Sequence, residues 1–298
     1  MATLKDVELK IKAVQKTRQI TKAMNMVAAS RLRSAQADSE AFRPYAAKFA
    51  EVLGGLAGGS DEAASPLLVP RQEVKNVHLV LCTSDRGLCG GFNANLIGRA
   101  ESFCRTQSAE GRQVSITNFG KKGRDWCRRE KLDIVDEYLG VVGARFSFNV
   151  AMTAGQKLVK AFLEEKYDAV YLIYAEFISM AKQQPVFKQL LPISPAKEPE
   201  AANETESEQV YMAEHVCEPS APELLGQLLP RDIYVQIYNA LLETSTSEHA
   251  ARMMAMDNAT KACNDMIENL TLAYNKARQA AITAELMDIV GGAEALRG

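Results

Sequence analysis

Residues 231–290 read RDIYVQIYNALLETSTSEHAARMMAMDNATKACNDMIENLTLAYNKARQAAITAELMDIV and hold neither glycine nor proline. Pro230 stands just before them and Gly291-Gly292 just after, which are the start and stop signals of one helix. At 1.5 Å per residue such a helix extends ~90 Å. A compact globule of this chain length has a radius of gyration of roughly 19 Å, hence a diameter of roughly 50 Å. The helix outgrows the globule. It must break, or project and be covered by something else.

The opening of the chain repeats the theme, since residues 1–43 also lack glycine and proline. Leu4, Val7, Ile11 and Val14 follow the 3,4,3 spacing of a coiled-coil seam. After the polar KTRQ the pattern is expected to resume, shifted, through Ile20, Met24, Val27 and Leu32. In the C-terminal segment Ile233, Ile237, Leu241 and Thr244 keep helical spacing. Ala251, Met254, Ala262, Met266, Leu270, Ala273, Ala277 and Ala280 continue it. Two long helices at opposite ends of the chain are therefore available to pack together.

Between them the texture changes. Strands are predicted at about 75–83, 113–119, 133–138, 168–178 and 185–193, with helices at about 93–107, 120–130 and 148–165. This alternation argues for a small, Rossmann-like α/β domain with a mostly parallel sheet and an antiparallel hairpin at one edge. The organisation expected is a helix over 1–60, an α/β domain over 70–220 and a second helix over 221–298. The Glu-rich stretch 195–209, PAKEPEAANETESEQ, reads as a solvated loop.

Composition sets outer bounds. With 47% hydrophobic and 24% charged residues the 298-residue chain is a folded globular type, and its net charge of −2 gives no overall pull toward nucleic acid. Residues 1–36 carry eight Lys/Arg against two acids, but no aromatics are interleaved, so a nucleic-acid arm is disfavoured. Six scattered cysteines form no C-x-x-C pair and read as reduced structural thiols in a cytoplasmic protein. No secretory signal is read at the N-terminus, and no apolar run approaches the length of a membrane span.

The candidate chemistry is thin. TSDRGLCGGFN at 83–93 follows an apolar strand, the usual place for a phosphate-binding loop. Its Gly87-x-x-Gly90-Gly91 spacing fits neither G-x-G-x-x-G nor G-x-x-x-x-G-K-[ST], and neither does Gly120-Lys-Lys-Gly123. The glycines are better read as a sharp turn from strand into helix, with Asp85 and Arg86 exposed or paired nearby; a contact surface for another subunit is the alternative. His78, His215 and His249 have no ligand or nucleophile at useful spacing, and no carboxylate pair stands out. No cofactor or metal is expected.

KTRQITKAMNMVAASRLR at 16–33, SDRGLCGGFN at 84–93, and SEHAARMMAMDNATKACNDMI with YNKARQAAITAELMDIVGGAEAL toward the C-terminus together resemble the gamma subunit of the F-type ATP synthase, in its bacterial form. The resemblance implies that the terminal helices form an antiparallel coiled coil, a shaft inside a hexamer of alternating alpha and beta subunits. It places the α/β domain below, against the epsilon subunit and the membrane-embedded c ring, at the cytoplasmic face of the membrane. Ion-driven rotation of that shaft would force the beta-subunit sites through successive conformations, without catalysis by this chain.

Carried over residue by residue, Met24 matches a position near the opposing helix and a beta-subunit loop. Arg252, Arg278, Gln279 and Thr283 match polar positions that meet the beta-subunit catch, and Glu218 matches the foot on the c ring. The paired-cysteine insert of chloroplast forms is not found, so thiol regulation is not expected.

Overall fold

A computed structural model describes residues 4–58, 65–193 and 221–295. Two helices dominate: α1, Leu4–Gly58, and α5, Ala221–Ala295. Between them run β1 (Asn76–Cys82), α2 (Phe92–Ala109), β2 (Gln113–Phe119), α3 (Lys121–Arg129), β3 (Asp133–Tyr138), α4 (Phe148–Leu163), β4 (Ala169–Phe177) and β5 (Gln183–Leu191). The alternating pattern read from the sequence is reproduced to within a few residues. Both terminal helices exceed their expected punctuation. Pro44 lies inside α1, and Pro230, Gly291 and Gly292 lie inside α5.

Packing explains why Pro230 does not end the helix. A helical proline costs ~3 kcal/mol, but Leu225 and Leu229 in the preceding turns are both fully buried. Each such burial contributes ~1.5–3 kcal/mol, so keeping residues 221–229 in line outweighs the break. Glycine in a helix costs only ~1 kcal/mol and forbids nothing, so Gly291-Gly292 is a weak stop.

The strand order is β3-β2-β1-β4-β5, parallel throughout except for the antiparallel β4–β5 hairpin. Central β1 is apolar on both faces because both are covered. Leu79, Leu81, Ile116 and Ile173 pack under α2 and α3, against Leu96, Ala100 and Trp126. On the opposite face Val80, Cys82, Phe119 and Leu172 meet Leu158 and Phe162 of α4, Ile233, Ile237 and Leu241 of α5, and Leu53 and Leu56 of α1.

The chain divides into two compact units, Met1–Ala29 with Arg252–Gly298, and Ser30–Ala251. The first is a helical pair. Arg18 Nη1 donates to Asn264 Oδ1 at 3.2 Å, Thr260 Oγ1 to Thr21 Oγ1 at 2.8 Å, and Asn25 Nδ2 to the Met253 carbonyl at 2.9 Å. As the number on α1 rises the partner's number on α5 falls, so the pair is antiparallel.

The seam corrects the expected one. On α1 the buried and half-buried positions include Leu4, Val7, Ile11, Val14, Arg18, Thr21, Asn25, Ala28 and Leu32, an unbroken 3,4 repeat. Ile20 and Val27, expected on it, are 60% and 55% exposed. No shift occurs at KTRQ; polar residues occupy the seam and hydrogen-bond across it. On α5 the repeat passes through Met256, Thr260, Cys263, Ile267, Leu270, Tyr274, Ala277 and Ala281. Leu270 and Ala277 were read correctly, whereas Ala262, Met266, Ala273 and Ala280 face outward.

Candidate partner surfaces and an occupied switch point

In this strand order the topological switch point lies between β1 and β4, where doubly wound sheets bind ligands beyond their strand ends. On the β2 side of β1, the chain's own groups fill the backbone valences. Thr83 Oγ1 accepts from Gly123 N at 2.8 Å and donates to the Phe119 carbonyl at 3.2 Å. Asp85 Oδ1 accepts from Lys121 N at 3.0 Å, and the Ser84 carbonyl accepts from Lys122 N at 3.1 Å. These amides open α3, where a phosphate would need them. Ser84 is itself tied down, its amide donating to Asn93 Oδ1 at 3.0 Å.

Beside β4, helix α5 performs the same task with side chains. Residues 243–249, ETSTSEH, are all buried although all are polar. Glu243 Oε2 accepts from Phe177 N at 3.0 Å, and its Oε1 accepts from Ser39 Oγ at 3.2 Å and lies 3.6 Å from Arg43 Nη2. Thr244 Oγ1 accepts from Ala175 N at 3.3 Å, and Ser247 Oγ donates to the Ala175 carbonyl at 3.3 Å. Ser245 Oγ accepts from Gly143 N at 3.2 Å. A side chain at Gly143, φ +77°, would put its Cβ 2.1 Å from Glu248 Oε2, so glycine is required where this loop passes α5.

The sequence reading passed over this polar girdle. Its signal was present: Ser and Thr are weak helix formers, and a run of them inside a long helix needs tertiary bonds to hold it.

His78 is fully buried, its ring nitrogens 2.7 Å from Ser115 Oγ and 2.9 Å from Thr117 Oγ1, and it stacks on Tyr167. Burial lowers its pKa to about 3, so it is a neutral structural histidine. Among the described residues no group of three or more His, Cys, Asp or Glu is placed to hold a metal, and no helix is long and apolar enough to cross a membrane.

The protein-family model described as ATP synthase matches residues 3–296. The ATP synthase gamma chain of Desulfosudis oleivorans is 63% identical over 100% of both chains, and that of Desulforapulum autotrophicum is 59% identical over 99% of this chain and 100% of its own. The chain belongs to the ATP synthase gamma chain family. Among solved structures, a chain from the Euglena gracilis mitochondrial ATP synthase (OSCP/F1/c-ring, rotational state 3) is similar with a TM-score of 0.66. It is 19% identical, and the match covers 98% of this chain and 94% of that one, a likeness of fold.

With the family in hand, the residues carried over from the resemblance fall into separate places. Met24 is half-buried on α1, next to Asn25, whose amide reaches α5. Arg252 is only 9% exposed. Arg278, Gln279 and Thr283 are exposed together on α5, about 39 Å of helix beyond Arg252 at 1.5 Å per residue. Thr283 Oγ1 donates to the carbonyl of Gln279 at 2.9 Å. Glu218 and the 195–209 loop lie outside the described residues.

Around those residues the helical pair carries bare apolar side chains. Leu9, Ile20, Met26 and Val27 on α1 are each more than half exposed. Within residues 282–290 of α5, Ile282, Leu286, Met287, Ile289 and Val290 are 50% to 69% exposed.

Proposed function

We propose that the chain is the rotor shaft of an ATP synthase, carrying rotation from a membrane c ring to a hexamer of three alpha and three beta subunits. The observation that supports this best is the antiparallel helical pair whose outer surface leaves large apolar side chains bare among its polar ones. Large side chains of Leu, Ile, Met and Val left in water over this length mark a protein contact. A ring of partners around the pair would cover them.

The surface is also patchy, with Lys and Arg interspersed among the apolar residues. A shaft with equal contacts in every orientation would bias no conformation of the ring. One with a single dominant contact would stall there. Scattered, unequal contacts suit a part that must drive three sites in turn and still move on. The chain itself performs no phosphate chemistry in this reading, and Thr83, Ser84 and Asp85 already use the amides that open α3.

In this assignment Arg252, Arg278, Gln279 and Thr283 meet the beta-subunit catch region at two levels of the shaft, Met24 lies at the level of Arg252, and Glu218 belongs to the foot on the c ring. One copy serves each complex, with the epsilon subunit against the α/β unit. The chain sits peripherally at the cytoplasmic face of the membrane, held by these partners. Co-expression with alpha and beta subunits tests the reading. A stoichiometric complex whose ATPase rate depends on this chain is expected; no complex, or an unchanged rate without the chain, would overturn it.

A further inference from the structure

A cavity of ≈ 440 Å³ opens between α1, the β4–β5 edge of the sheet and the early turns of α5. Leu53, Leu68, Leu172, Leu190, Leu229 and Val235 give it apolar walls. Its volume falls within the ~300–1,000 Å³ of small-molecule pockets.

One end of the cavity is polar, and its hydrogen bonding is incomplete. Asp232, 6% exposed, accepts from Gln236 Nε2 one turn further along α5. That bond fixes the Gln236 amide with its nitrogen toward the carboxylate, which turns Oε1 away. Oε1 is buried and has no hydrogen-bond partner among the described residues. A buried acceptor left without a donor is destabilising, and a ligand that supplies one relieves it. Lys188 lines the same end and its charge acts on the Asp232 carboxylate, but it is exposed and makes no hydrogen bond to either group among the described residues. The polar end therefore offers one carboxylate and one unused amide oxygen, both acceptors. Lys188 offsets the carboxylate charge without hydrogen-bonding to it, so Gln236 Oε1 and the Asp232 carboxylate are still open to a donor, and one amine can serve both.

We propose that this cavity binds a small molecule with an apolar, ring-sized body and an amine head, the amine donating to Gln236 Oε1 and to the Asp232 carboxylate. The body lies against the leucine walls, and the bound molecule bridges α1, β5 and α5.

Tryptamine, indole and indole-3-propionic acid, titrated onto the full chain and followed by ligand-observed NMR, test the proposal. Tryptamine should bind saturably, and the acid at least about tenfold more weakly, a difference of ~1.4 kcal/mol; indole, lacking the amine, should fall between them. Gln236→Leu and Asp232→Asn should each weaken tryptamine about tenfold. Gly54→Trp fills the mouth at a position where an added Cβ meets no atom within 4 Å, so it should fold normally and abolish binding. Absence of saturable tryptamine binding, equal binding of the acid, or wild-type binding in Gly54→Trp would each overturn the assignment. If Asp232→Asn does not fold, Gln236→Leu and Gly54→Trp decide.

Discussion

Gly120 shows how much one residue can fix. At φ +97° it occupies backbone space that L side chains rarely adopt, and an added Cβ would lie 2.1 Å from the Thr83 carbonyl oxygen. Gly120→Ala should therefore lower stability by about 3–5 kcal/mol, read from the urea midpoint. His78 makes a second, pH-dependent prediction. Its pKa in the fold is lowered by burial from 6.5 to about 3, so between those values the unfolded chain binds a proton that the folded chain excludes. The contribution is complete above pH 6.5 and is lost as pH falls toward 3, with a slope of about 1.4 kcal/mol per pH unit from this group. His78→Gln should flatten the pH dependence of the unfolding free energy across that window. Only His78 was legible, as a structural histidine; the strand-to-helix turn read from the sequence concerned Gly87, Gly90 and Gly91, and Gly120 stood out only as part of a spacing that fits no phosphate loop. The partners of both were not legible, because Ser115, Thr117 and Thr83 meet them across strands that sequence spacing does not connect.

Whole elements were easier to read than their faces. Strand alternation and the lack of glycine and proline placed every strand and helix, since hydrophobic periodicity and chain punctuation are local properties. After KTRQ the seam departs from the spacing of the large apolar residues. The true repeat keeps its spacing through Arg18, Thr21 and Asn25, and their hydrogen bonds to α5 define the register as polar seam residues do in coiled coils. Ile20 and Val27 face outward instead. The girdle of α5 was missed for the complementary reason, as Glu and Ser are expected on surfaces. Glu243→Ala leaves the Phe177 amide and the Ser39 hydroxyl without their acceptor and should cost about 2–4 kcal/mol, measured by thermal or urea unfolding. Ala262→Pro tests continuity: on an exposed face of α5 it replaces no seam side chain, yet it removes a backbone bond and kinks the helix, and it should cost about 3 kcal/mol or more.

For the molecule as a whole, the sequence supplied the family through three separated motifs, yet it could not rank the residues that would act on partners. The structure distinguishes them by what each side chain is already doing. Arg252 is largely buried, so its substitution mixes folding with function. Gln279 is exposed on α5 and its side chain is available to a partner, whereas the neighbouring Thr283 spends its hydroxyl on the Gln279 carbonyl. If the exposed face of α5 transmits force to the beta subunits, Gln279→Ala should lower the ATPase rate of the reconstituted complex by about tenfold, equal to ~1.4 kcal/mol, while leaving the unfolding midpoint of the free chain unchanged. Thr283→Val keeps the shape that meets the catch and removes only an internal bond, so its loss of rate should be well below that of Gln279→Ala. The reverse ranking, with Thr283→Val impaired and Gln279→Ala intact, would mean that the threonine hydroxyl leaves its helix to reach a partner, and the assignment of Gln279 would fall.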